Sequence, residues 1–191
     1  MRLSLQHLFP LLALGALAGG SLWLERITRS PEEASAAARA SGPDVIVDQM
    51  AVTRFDINGV PHYTLDARNM THLPGEAHSH LDDPVMHYTR DTMRLQLAAR
   101  SAIARDDGER IDLAGEVRGE RALPDQPVST FASESLTLWP RVESAKTTDP
   151  VLLTQNGAEV RGNGMTADNI FGLITLTGRV DAYMPVKRKT P

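Results

Sequence analysis

Ile111-Asp-Leu-Ala-Gly-Glu-Val117 places an apolar or small residue at every second position, and Ile174-Thr-Leu-Thr-Gly-Arg-Val180 repeats the pattern later in the chain. A period of two sends successive side chains to opposite faces, so each run reads as a strand with one buried and one wet face. Working outward, the same alternation runs through Tyr63-Thr-Leu-Asp-Ala67 and Met93-Arg-Leu-Gln-Leu-Ala-Ala99. Turn signals lie between the runs: Asn58-Gly59, Pro74-Gly75, Asp107-Gly108, Pro124-Asp125, Asn156-Gly157 and Asn163-Gly164. From Val45 onward no segment carries a helical stripe over three turns. An all-β, antiparallel domain is therefore expected. Asp83-Pro-Val85 recurs as Asp149-Pro-Val151 at nearly the same spacing, which points to a sheet assembled from repeated strand units.

The 191 residues contain no cysteine, which removes disulfides, thiolate metal sites and thiol nucleophiles. A net charge of −4 offers no basic excess for phosphate backbones, and nucleic-acid binding is not expected. No nucleophile elbow, phosphate-binding loop or zinc-protease helix occurs, so the sequence supplies no catalytic set, and neither an enzyme nor a cofactor is expected. Gly162-Asn-Gly-Met-Thr-Ala167 matches a dinucleotide fingerprint in letters, but a strand follows where a helix is needed, so a hairpin is the better reading. His78, His80 and Asp82 share a face if they lie on a strand. Such a set can ligate a metal or simply sit in water, and without a clear fourth ligand no metal is assigned.

Leu3 to Leu24 carries no fixed charge and, as a helix, is long enough to cross a hydrocarbon core of about 30 Å. Residues 1–29 are expected to hold a short N-terminal segment and one transmembrane anchor, with the N-terminus inside. Ala16-Leu-Ala18 also fits a signal-peptide cleavage site. The apolar run continues past it to Trp23 and Leu24, which favours a retained anchor. Residues 30–43 are small, polar and bounded by proline, as in a flexible linker. Residues 44–185 form the β domain, and 186–191 a basic tail.

Aromatics are only 5% of the chain, so inward positions fall to aliphatics and methionine. Such an interior is either filled by its own side chains or left open as a slot for acyl chains. The positions expected to face inward, and hence the candidate groove, are Val45, Val47, Phe55, Tyr63, Leu65, Leu95, Leu97, Leu113, Val117, Phe131, Leu136, Leu138, Ile174 and Leu176.

The order of elements resembles a known family. Asp56-Ile-Asn-Gly59 followed by Tyr63-Thr-Leu-Asp-Ala67, then Asp83-Pro-Val85, Thr148-Asp-Pro-Val151, Val160-Arg-Gly-Asn-Gly-Met165 and Gly172-Leu-Ile-Thr-Leu-Thr-Gly-Arg-Val180 are similar to the lipopolysaccharide-export protein C (LptC) family. Gly59 and Gly164 fall where that family carries characteristic glycines. The resemblance implies a twisted, open β-jellyroll (OstA-like) in the periplasm, preceded by one transmembrane helix in the bacterial inner membrane, whose slot binds lipopolysaccharide acyl chains. It implies two partners: the inner-membrane ABC transporter with its ATPase, and a periplasmic bridge protein of the same fold. The second would dock on the C-terminal edge, at Ile174, Leu176, Val180 and Tyr183. The basic tail and the histidine-rich stretch 72–87 are not accounted for by the resemblance. A soluble bridge-type carrier with a cleaved signal, or a scaffold that binds no lipid, are the alternatives.

Overall fold

A computed structural model of the chain describes residues 17–24, 43–105 and 108–185. Contacts divide the chain into two units, Met1–Gly42 and Pro43–Pro191. In the first, residues 17–24 are helical, with Leu17, Leu22, Trp23 and Leu24 exposed. No helix among the described residues is long and apolar enough to cross a membrane. The remainder of the expected anchor, most of the linker and the basic tail lie outside the described residues.

The described residues of the second unit form one antiparallel sheet of fourteen strands. They are β1 (Val45–Phe55), β2 (Pro61–His72), β3 (His78–Asp82), β4 (Val85–Arg90), β5 (Met93–Ala98), β6 (Ser101–Arg105) and β7 (Arg110–Ala122). β8 (Ser129–Trp139), β9 (Ser144–Thr147), β10 (Val151–Gln155), β11 (Ala158–Gly162), β12 (Gly164–Asp168), β13 (Leu173–Thr177) and β14 (Asp181–Tyr183) follow.

Two long strands shape the sheet. The first part of β2 pairs with β4 and the second with β3. The first part of β7 pairs with β6 and the second with β5. Because β3 pairs with β6 and β4 with β5, the path β7-β5-β4-β2-β3-β6 closes into a ring. The sheet thus rolls over on itself, and Leu65, Leu81, Leu97 and Ile111 join one core cluster.

The sequence repeat is a structural repeat. β8 pairs with β9 and β10 as β2 pairs with β3 and β4. β12 and β11 then pair with β13 and β14, in the places that β6 and β5 hold against β7. Ile111 and Leu113 thereby correspond to Ile174 and Leu176. Asp83-Pro84 and Asp149-Pro150 are the equivalent corners where the chain leaves one branch for the other.

Left-handed residues interrupt the ladders: the β7 bulge leaves Ile111, Leu113 and Val117 on one face but moves the buried positions of β8 from Phe131 and Ser133 to Leu136 and Leu138. In β7, Gly115 (φ 78°) and Glu116 (φ 49°) form a bulge, and the register with β8 shifts between Ala114 and Val117. In β1, Gln49 has φ 53°, so the inward positions pass from Val47 to the even-numbered Met50 and Val52.

Candidate functional site

The nine positions Tyr63, Leu65, Leu95, Leu97, Leu113, Val117, Phe131, Leu136 and Leu138 are all buried. Val47 and Leu176 are half-buried and pack against the core. Val45, Phe55 and Ile174 are exposed, unlike the inward placement that simple alternation gives them. Val45 begins a strand that, among the described residues, pairs only with β2 and so lies at the edge of the sheet. Phe55 follows the phase change at Gln49 and so faces away from Met50 and Val52. Ile174 sits on a strand whose second edge has no partner among the described residues.

The middle of the interior is filled. Val117 and Leu136 are 0% exposed, and a Cβ built on Gly119 would stand 2.9 Å from Leu97 Cδ2. An acyl chain could enter there only by parting side chains already in van der Waals contact. An apolar-walled cleft of about 460 Å³ lies instead toward the N-terminal strands, and a more charged hollow of about 600 Å³ lies against β7, β8, β10 and β11. Met50 and Val52 of β1, Leu65 and Met70 of β2, Leu81 of β3 and Ile111 of β7 give the cleft its apolar walls. Its size falls in the range of small-molecule sites, whereas a further hollow between Leu95, Phe131, Phe171 and Ile174 holds only about 80 Å³. Met50 and Val52 escaped the sequence reading because one period was carried through β1, and Met70 because the core-facing positions of β2 pass from the odd-numbered Tyr63, Leu65 and Ala67 to the even-numbered Met70. The alternation Met50-Ala-Val52 was itself the signal.

Polar groups stand among these walls. Arg54 and Tyr63 are register partners. Burial pushes the Tyr63 phenol up, the Arg54 guanidinium opposes it, and the hydroxyl stays a neutral donor. His72 Nδ1 donates to the His78 carbonyl at 3.0 Å, which ties the ends of β2 and β3 together. On the other face of β7 from Ile111, outside the cleft, Asp112 is desolvated, which raises its pKa, but bonds from Thr137, Arg110 and Arg105 outweigh this and hold the carboxyl below its usual range.

Both ends of the sheet present unpaired backbone. Among the described residues, β1 pairs with β2 alone, β13 only with β12, and β14 only with β11. Exposed apolar residues mark both: Ile46, Val52 and Phe55 at the first, Leu173, Val180 and Tyr183 at the second. The two expected family glycines serve different ends. Gly59 (φ 78°) closes a turn in which Asp56 Oδ1 accepts from the amides of Asn58 and Val60. Gly164 lets three strands converge, since a Cβ there would lie 2.6 Å from Thr177 Oγ1 and 3.1 Å from the Thr147 carbonyl.

The sequence model of the family described as lipopolysaccharide-assembly, LptC-related matches residues 11–184. The chain belongs to this family. As an LptC-related protein it is a periplasmic component of lipopolysaccharide transport. Among solved structures, the fold is similar to that of LptH from Pseudomonas aeruginosa, described as the LptA-homologous periplasmic component of a lipopolysaccharide transport device. The two share 14% identity at a TM-score of 0.50, over 65% of this chain and 95% of LptH. Comparison with curated protein sequences gives no significant match. The β-jellyroll of this LptC-related chain is thus of the same kind as that of LptH.

Proposed function

We propose that this chain is a single-pass inner-membrane protein whose periplasmic domain receives lipopolysaccharide from the ABC transporter and passes it to a bridge protein of the same fold. The observation that carries the reading is the cleft of about 460 Å³ beside the first strands, whose walls are mainly apolar, whereas a hollow of about 600 Å³ beside Glu116, Arg118, Glu134, Arg161 and Asp181 is rimmed by charge. Each methylene removed from water is worth ~0.8 kcal/mol, so a fourteen-carbon acyl chain left exposed would cost on the order of 10 kcal/mol. A lane that roughly matches this value lets the chain move on without trapping it, while direction comes from the transporter's ATPase. The exposed Leu17, Leu22, Trp23 and Leu24 in the described part of the N-terminal helix support an anchor. The unpaired edge of β13 and β14 supports a dock for a like-folded partner.

A photo-crosslinker at Val52 or Met70 should capture lipopolysaccharide in cells, while one at Thr53, on the opposite face of β1, should not. Capture at Thr53 alone, or at none of the three, would overturn the assignment of the cleft. A second reading, a scaffold that binds no lipid, is favoured by the filled centre around Val117 and Leu136; it predicts no capture at any of these positions. Mass spectrometry of the mature N-terminus should find residues 1–18 still attached.

A further inference from the structure

Leu73, Pro74, Gly75 and Glu76 form a tight turn in which the Glu76 amide donates to the Leu73 carbonyl at 3.1 Å and Gly75 takes φ 82°. Proline second and a left-handed glycine third are the residues such a turn demands. The turn swings Glu76 back toward the start of β3. There it meets His78 and His80, which share a face because they stand two positions apart on a strand. Glu76 Oε2 lies 2.9 Å from His78 Nε2 and 3.7 Å from His80 Nε2. One ligand atom from each of the three residues falls within 4.8 Å of the others.

Asp82, of the same parity, does not join them. It lies at the far end of β3, opposite Asn69 and Ser101. Four residues of extended strand span about 13 Å, too far for one ion to be shared with His78. Glu76 succeeds where Asp82 fails because the turn, not the strand, sets its position.

We propose that Glu76, His78 and His80 form a binding site for a divalent transition-metal ion of the zinc type, beside the β1–β3 cleft that His78 helps to line. Ligand atoms around a tetrahedral zinc sit about 3.3 Å apart, given bonds of about 2.0 Å, so small side-chain rotations bring the three onto one ion. A second observation points the same way. Glu76 Oε2 is buried and has no hydrogen-bond partner; its 2.9 Å approach to His78 is an ion-pair distance without hydrogen-bond alignment. The Glu76 side chain is partly exposed, but its shielded Oε2 stands within reach of both imidazoles with no aligned donor, which is what a cation would use.

The support is stiff. β3 is paired on one edge with β2 and on the other with β6. His72 Nδ1 and Ser79 Oγ, 3.3 Å apart, flank the His78 carbonyl that His72 binds. Arg105 pairs across from His78, but Asp112 holds its guanidinium at 3.1 Å. Two imidazoles and one carboxylate select zinc, copper or nickel over magnesium or calcium, which prefer all-oxygen sites. Two neutral imidazoles and one carboxylate leave the bound ion a net positive charge and at least one open position, facing the cleft mouth or solvent.

The experiment is a calorimetric titration of zinc into the full chain in detergent at neutral pH. Uptake of a single ion is expected, and His78→Ala, His80→Ala and Glu76→Gln should each weaken it by roughly tenfold or more. Asp82→Ala should leave it unchanged, magnesium should not compete, and acidification should release the ion, because imidazole ligates only when neutral. Circular dichroism reports the fold of each variant, and the exposed His80 gives a second substitution should His78→Ala fail to fold. Failure to take up zinc, or uptake that survives loss of both histidines, would overturn the site. Lipid crosslinking at Val52 is scored separately, so the metal proposal and the lipid reading fail or stand independently.

Discussion

The two copies of the repeat differ most where their sequences agree best. Ile111, Leu113 and Val117 on β7 are 1%, 3% and 0% exposed. Their counterparts Ile174 and Val180 are 37% and 48% exposed, and Leu176 is only half-buried. Both copies break at a left-handed glycine, Gly115 with φ 78° and Gly178 with φ 77°. At Gly115 the chain passes through as one strand, because β8 pairs with β7 on both sides of the bulge. At Gly178 it divides into β13 and β14, and no strand among the described residues covers the other edge. An identical pattern thus yields a core strand or a docking edge, depending on whether a further strand lies alongside.

That contrast gives the largest expected effect. Leu113→Ala should lower the unfolding free energy by about 2–5 kcal/mol, and Leu176→Ala by about 1 kcal/mol or less. Urea denaturation of the two variants measures both, and equal losses would break the comparison. Next, Gly119→Val should cost about 1–3 kcal/mol by forcing Leu97 and Phe131 apart, read as a lower midpoint in the same assay. Val180→Asp should weaken capture of the like-folded bridge protein about tenfold, or ~1.4 kcal/mol, while the thermal midpoint barely moves. A matching loss of stability would place Val180 in the core and remove the edge from consideration.

The smallest expected effect concerns pH. The Asp112 carboxyl is held below its unfolded value, so its contribution is fully present above about pH 4 and is lost as pH falls through the depressed value. Asp112→Asn should cost about 1 kcal/mol near neutrality and flatten the acid limb of the stability profile. Stability measured across the acid range in both proteins checks the sign.

The runs Tyr63-Thr-Leu-Asp-Ala67 and Met93-Arg-Leu-Gln-Leu-Ala-Ala99 were legible because their alternation is unbroken, and they face as their letters say. β1 was misread in phase because a single left-handed residue, Gln49, is invisible to a period-two pattern. The histidine cluster was half-legible. His78 and His80 share a strand face and could be paired from spacing, but Glu76 reaches them through a turn, and Asp82 appeared to complete the set only on paper.

By itself the sequence determined that this chain folds as repeated antiparallel strands with aliphatic inner faces, since a period of two is a local property of the backbone. Only tertiary structure decided which inner faces meet solid packing and which border open space. Burial is set by strands distant along the chain, and β8 beside β7 or solvent beside β13 leaves no trace in either strand's own letters.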